Sequence, residues 1–302
     1  MAHGKILGLS CGAVDGSAEI LLKEALRAAE GDGAEVELVR LIELALPLEP
    51  TGRDADLPDD AWWLWERLLE ADGIVVSTPI ISRTVAARLK VVVDRLLGPN
   101  ADVAIVAGLL DLRARGEEPA VPFRVDERVL KPRVAGFLSV GGSLTSQWKT
   151  LSLPLLHTTT FSMHTTVVDQ VEFEGAGTPR SIVLDVDALA RAGELGHHVA
   201  GQLGRSAEEA QYLGPEGLCP MCHLDVVRLR LPDVECATCG ARGVLEGGSV
   251  TWTDLSTSVL SMAEKQAHAV EIQQTAAAHA GRREEIEAAA AVLTAYDRLV
   301  RP

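Results

Sequence analysis

Two hydrophobic rhythms take turns along this chain. Lys5-Ile6-Leu7-Gly8-Leu9-Ser10 is a short apolar run ending in small residues, and a loop from Cys11 to Gly16 follows it. From Ser17 to Glu30, Ile20, Leu21, Leu22, Ala25 and Leu26 recur at helical spacing until Gly31-Asp32-Gly33 stops the pattern. Glu35 to Leu41 then places Val36, Leu38 and Leu41 among charges, as a strand does. Strand, helix and strand in close succession predict a βαβ unit with a right-handed crossover.

The alternation repeats. Asp59 to Ala71 predicts a helix, Gly73 to Ser77 a buried strand ending at Thr78-Pro79, and Val85 to Leu97 a helix with Leu89, Val92, Val93 and Leu96 on one stripe. Val134 to Val140 predicts a strand ending in Gly141-Gly142, Ser146 to Phe161 a helix broken near Pro154, Thr165 to Val171 a strand and Val186 to Leu203 a closing helix. Buried strands alternating with helices make an α/β fold, a doubly wound parallel sheet covered on both faces. Residues 98–131 interrupt the rhythm, with a helix expected near Val103 to Leu112. Such an excursion serves either as a lid beside the C-terminal ends of the strands or as oligomer contact and decoration.

Composition changes after the sheet-forming region. Residues 214–250 are rich in Cys, Gly and Pro, and Ser256 to Arg301 is Ala- and Glu-rich and helical in pattern, with a break near Ala280-Gly281. The expected division is 1–205, 214–250 and 255–302. Across 302 residues the formal charge is −15, which makes nucleic acid and anionic membrane surfaces poor partners. No apolar run reaches the ~18 residues of a spanning helix. Met1-Ala2-His3-Gly4-Lys5 lacks a signal-peptide layout, so the cytoplasm is the expected compartment.

Four of the five cysteines form two CxxC knuckles, Cys219-Pro220-Met221-Cys222 and Cys236-Ala237-Thr238-Cys239, separated by thirteen residues. In a chain expected in the cytoplasm this clustering favours metal over disulfide, and four thiolates complete a tetrahedron. The segment resembles a zinc ribbon, with strands expected over Leu224 to Leu231 and Gly243 to Val250. Zinc is the expected metal. Iron in a rubredoxin-like site is the alternative, although rubredoxins have a wider gap between knuckles. His223 is a bystander beside a complete cysteine set.

Three loops sit where ligands bind in open α/β sheets, beyond the carboxyl ends of strands. Ser10 to Ser17 joins strand to helix and offers backbone N–H groups and hydroxyls to a phosphate. Thr78-Pro79-Ile80-Ile81-Ser82 can lay its backbone along a planar ring. Gly141-Gly142-Ser143 lets a ligand approach closely.

The order of these features, with Glu19 to Lys23, Pro58 to Pro79, Leu89 to Arg95 and Lys131 to Gly136, resembles the NADPH-dependent FMN reductase family, in particular its iron-sulfur flavoprotein branch. The resemblance covers roughly residues 4–200. It implies a flavodoxin-like fold, with the FMN phosphate held by Ser10, Gly16 and Ser17. It implies ring contacts from Thr78, Pro79, Ile80, Ile81 and Ser82 and from Gly141, Gly142 and Ser143. The chain departs from the family in having Gly12 and Ala13 near where an Arg is common, and Ile80 where an aromatic is common. Leu46 to Gly52 holds no cysteine, so that branch's cluster is excluded from its usual place.

The remaining candidates have plainer readings. Cys11 is read as a small filler of the first loop, with a reactive thiol at a helix N-terminus as the alternative, and His157 and His164 as structural or simply exposed, with protonation of a substrate as the alternative. Trp148 lines either the flavin pocket or a subunit contact. His268 lies on a solvated helix face. Trp62, Trp63 and Trp65 share one helix and cannot all face one side, which points to a homo-oligomer, dimer or tetramer. The expected function is an FMN-dependent oxidoreductase passing electrons from NAD(P)H to a small acceptor: a quinone, a nitro compound or a flavin. No acid or base side chain is required, because the flavin carries the chemistry. The alternative is an FMN electron-transfer or docking module with a protein redox partner and no NAD(P)H site.

Overall fold

The computed structural model describes residues 4–49, 54–295, 298 and 300. Five strands, β1 (Lys5–Ser10), β2 (Glu35–Arg40), β3 (Gly73–Pro79), β4 (Arg133–Val140) and β5 (Thr165–Phe173), form a sheet in the order β2-β1-β3-β4-β5. Every pairing is parallel. The central strands are mostly apolar because both faces are covered; all eight residues of β4 are buried, Arg133 and Ser139 included. The chain leaves β1 in one direction to build β2 and returns across it to build β3. The loops after β1 and β3 therefore flank the point where strand order reverses.

On one face of the sheet lie α1 (Ser17–Gly31) and α6 (Val186–Gln202). Leu21, Leu22 and Leu26 share an apolar layer there with Leu195 and Val199. A Cβ on Gly196 would stand 2.0 Å from the carbonyl oxygen of Ala25, so the α1–α6 approach requires glycine at that position. On the other face, α2 (Ala61–Glu70) and α3 (Ala87–Leu96) bury Leu64, Trp65, Leu68, Leu89 and Val92 against Leu7, Leu9 and Phe137. Each such side chain, fully withdrawn from water, contributes about 1.5–3 kcal/mol. Trp65 is buried while Trp62 and Trp63 are about half exposed, the split their shared helix demands.

Residues 98–131 contain α4 (Val103–Arg115), capped by Asp102, whose carboxylate accepts from Ala104 N and Ile105 N. This excursion begins where α3 ends and feeds the start of β4. It therefore lies at the N-terminal edge of the sheet, opposite the three loops, and the lid reading is corrected. The helix expected over Ser146–Phe161 is mostly turns, with only α5 (Ser152–Leu156) being α-helical. Pro154 sits in its first turn, where the missing N–H has no helical partner to lose, so it marks the helix start rather than a break.

Beyond α6 a second, antiparallel sheet runs β6 (Val227–Arg230), β7 (Asp233–Cys236), β8 (Arg242–Glu246) and β9 (Ser249–Asp254), in sequential order. The single strand expected over Gly243–Val250 is instead a hairpin. Gly247 and Gly248 take positive φ there and turn the chain. The tail forms α7 (Met262–His279) and α8 (Arg283–Thr294), divided at Gly281 as its composition predicts. No described helix is long and apolar enough to cross a membrane.

Candidate flavin site and cysteine cluster

The loops after β1, β3 and β4 converge through backbone contacts. Cys11 N donates to Ser77 O at 2.9 Å and Ile80 N to Val140 O at 2.8 Å. A Cβ on Gly12 would meet Pro79 Cδ at 3.2 Å, and one on Gly141 would meet Ile80 Cδ1 at 3.1 Å. The loops therefore touch where side chains are missing, and they leave a shelf above the sheet. Ile80, Ser82, Gly141, Gly142 and Ser143 line one cavity of about 260 Å³. Arg83, Trp148 and Lys149 complete its walls. Ile81 lies beside it, 54% exposed and turned back to Thr84. Asp15, Ser82 and Arg83 hold positive φ, so strained backbone gathers at this edge.

The first loop divides its residues. Gly16 stands at the start of α1 and gives it no side-chain cap, so first-turn N–H groups remain for an anion. Ser17 is half-buried at the same place. Ser10 is fully buried, and its hydroxyl donates to Glu19 Oε2 at 3.3 Å. Thr78 is likewise committed: its Oγ1 donates to Pro79 O and accepts from Ala86 N at 3.0 Å. Both are placed to shape the loops from beneath.

Glu19 is a charge buried under the first loop. Burial pushes its carboxyl up, but hydrogen bonds from Arg40 and Lys23 outweigh that and hold it at about 2. Arg40 grips it in a fork, Nε and Nη2 each 2.9 Å from an oxygen, and Lys23 Nζ lies 2.7 Å away. Both cations that hold Glu19 beneath this loop are thus engaged, which leaves N–H groups and the helix dipole for a phosphate there.

Lys149 and Arg83 belong to no motif in the sequence: Arg83 follows the Thr78–Ser82 loop directly, and Lys149 lies six residues beyond Ser143. Lys149 is held by Glu174 at 2.5 Å and Glu172 at 3.4 Å. Burial opposes its charge, but the two carboxylates prevail and raise its pKa. Arg83 is exposed and has no ion-pair partner among the described residues. Cys11 is buried, and burial pushes its thiol up, which suits a filler rather than a nucleophile. His157 is fully buried and held near 4 by desolvation, so it is neutral at physiological pH and no acid. His164 is half-buried, its Nδ1 3.4 Å from Leu130 O.

The four knuckle cysteines converge, all buried, with their sulfurs within 4.8 Å of one another. Cys219 and Cys239 Sγ lie 3.6 Å apart, and Cys222 and Cys236 Sγ 3.5 Å apart. A tetrahedron of metal–thiolate bonds of about 2.3 Å spaces its sulfurs at about 3.8 Å, so the set can hold one metal ion. His223 stays outside it, stacked on Tyr212 at 3.6 Å.

The sequence profile of the NADPH-dependent FMN reductase family matches residues 4–176. A flavone synthase of Aspergillus candidus, cfoJ, is 39% identical over 256 residues, covering 79% of this chain and 77% of that protein. The solved structure of a flavone reductase matches 99% of both chains at 30% identity with a TM-score of 0.81. An apo NADH:FMN oxidoreductase matches 69% of this chain and 95% of its own at 15% identity and a TM-score of 0.44. The family match spans the whole of the parallel sheet and its three converging loops, and the chain belongs to the NADPH-dependent FMN reductase family as an FMN-dependent oxidoreductase.

Proposed function

We propose that this protein uses NAD(P)H to reduce a planar, conjugated aromatic ketone of the flavone type. The observation that carries this is the whole-chain likeness to a flavone reductase, which extends through the cysteine segment and tail. A relative named for flavone synthesis handles the same class of compound.

Bound FMN would supply hydride chemistry at its N5 position. The chain's part is positioning. The glycine-lined shelf of Gly141 and Gly142 and the loop Thr78–Ser82 hold the ring, while Gly16 and Ser17 hold the phosphate. Ser10 braces the first loop through Glu19. Trp148, 57% exposed at the cavity wall, and half-buried Ile80 offer apolar surface to a flat acceptor. The Lys149 ammonium, kept charged by its carboxylate neighbours, donates a hydrogen bond to the acceptor's carbonyl oxygen. Arg83 meets a phosphate of the dinucleotide. Zinc fills the four-cysteine site in a structural role.

The test is an anaerobic reaction of the FMN-loaded protein with NADPH and a flavone. A product heavier by two hydrogens supports the reading. Flavin that is reduced by NADPH but passes electrons only to a quinone or to free flavin defeats it.

A further inference from the structure

A cavity of about 720 Å³ shares no residue with the loops after β1, β3 and β4. It is a groove between α4 and α7. Small and apolar side chains line it: Ala104, Ala107 and Gly108 from α4, Ala269, Val270 and Ala277 from α7. A Cβ added at Gly108 would meet nothing within 4 Å, so the α4 wall is open at that point. The walls are fixed. Val121 N donates to Gln273 Oε1 at 3.0 Å, and Gln273 Nε2 donates back to Val121 O at 3.3 Å. Lys265, buried on α7, donates to the carbonyl of Phe161.

The same chain carries a helix whose described apolar residues are largely exposed. In α8 the apolar positions Ile286, Ala290 and Leu293 recur at helical spacing, yet Ile286 is 47% and Leu293 78% exposed. An apolar stripe left in water is a face awaiting a partner. Its length fits: α8 is about 18 Å long, and the α7 wall from Met262 to Ala277 spans about 22 Å. Its charge fits as well. The first turn of α8 carries Glu284 and the last turn of α4 Arg113, neither in an ion pair among the described residues, whereas Glu285 and Arg115 are already paired with Arg282 and with Asp111 and Glu117. An α8 lying antiparallel to α4 brings these ends together. Between α7 and α8, Ala280 is extended and Gly281 takes φ +78, and no α8 residue lines the groove of its own chain.

We infer that two copies of this chain pair by exchanging α8, each helix lying in the α4–α7 groove of the other copy. The arrangement is isologous: one helix given and one groove filled per copy, with two-fold closure. It does not depend on which acceptor the enzyme reduces.

The test uses the full-length, FMN-loaded protein in analytical ultracentrifugation and in cross-linking. The parent protein sediments at twice the 32.1 kDa chain mass. The double variant Ile286→Glu/Leu293→Glu halves that mass while the flavin absorbance is retained. Mixing Gly108→Cys chains with Leu293→Cys chains under oxidation gives a disulfide-linked pair that neither variant forms alone. A parent that sediments as a monomer, a double variant that keeps the parent's mass, or a mixture without cross-linked pairs overturns the inference. So does an intrachain cross-link in the Gly108→Cys/Leu293→Cys double variant, which reveals α8 folding back on its own groove.

Discussion

His157 Nε2 donates to Gln170 Oε1 at 2.9 Å inside the protein, and Gln170 passes the contact on, its amide donating to Cys222 O at 2.8 Å. One glutamine on β5 thus joins the segment that follows the loop after β4 to the first cysteine knuckle. Replacing Gln170 with Leu removes both bonds and leaves the Cys222 carbonyl without this donor. The expected loss is about 2–4 kcal/mol. Urea unfolding followed by circular dichroism measures it, and an unchanged midpoint contradicts the bridging role.

Glu19 makes stability depend on pH. Its folded-state pKa of about 2 lies below the ordinary 4.5, so its contribution is complete above pH 4.5 and disappears as pH falls toward 2. The size is on the order of 2–3 kcal/mol for one buried carboxylate held by two cations. Unfolding free energies of the parent and Glu19→Gln, compared between pH 7 and pH 3, should converge at the acid end. Parallel curves would show that the Arg40–Lys23 grip contributes nothing.

Gly141 and Ser10 should behave oppositely in flavin binding. A side chain at Gly141 starts 3.1 Å from Ile80 and grows into the shelf. Gly141→Val should weaken FMN binding by about tenfold or more, equal to at least about 1.4 kcal/mol. Ser10→Ala, whose hydroxyl already serves Glu19, should change it by no more than about twofold. Flavin-fluorescence titration of the apoprotein gives both constants, and equal losses would refute the distinction.

The cysteine segment should depend on its metal. Cys222→Ser should abolish stoichiometric zinc and melt the four-stranded sheet, because metal binding and folding are one free energy in such segments. Elemental analysis should find one zinc per parent chain. One iron instead, with thiolate-to-iron absorption, would reassign the site.

Much of this molecule was legible in sequence because it depends on local pattern. The βα alternation predicted the five parallel strands, and the CxxC spacing predicted a cluster that Cys219, Cys222, Cys236 and Cys239 form. What escaped depends on contacts between distant residues. Nothing local distinguishes the Ser10 hydroxyl, turned to Glu19, from one turned to a ligand. Lys149 enters the cavity wall only because Glu172 and Glu174, on and just beyond the edge strand, pull it there. The hairpin at Gly247-Gly248 was readable as a turn but was absorbed into a strand by the apolar residues around it. Residues 98–131 were readable as an excursion, but only the strand order tells which end of the sheet they occupy.

The cysteine segment is anchored at both ends, by Gln170 ahead of it and by Lys265, on the carbonyl of Phe161, behind it. It is therefore a buttress rather than a pendant arm. Cutting the chain before residue 214 would not release a smaller working enzyme; it would bare the His157–Gln170 pair to water and strip support from the segment that carries Trp148 and Lys149. Whatever enters the cavity beside Trp148 and Lys149 meets a wall braced from the far side, by a segment whose four cysteines lie outside that cavity.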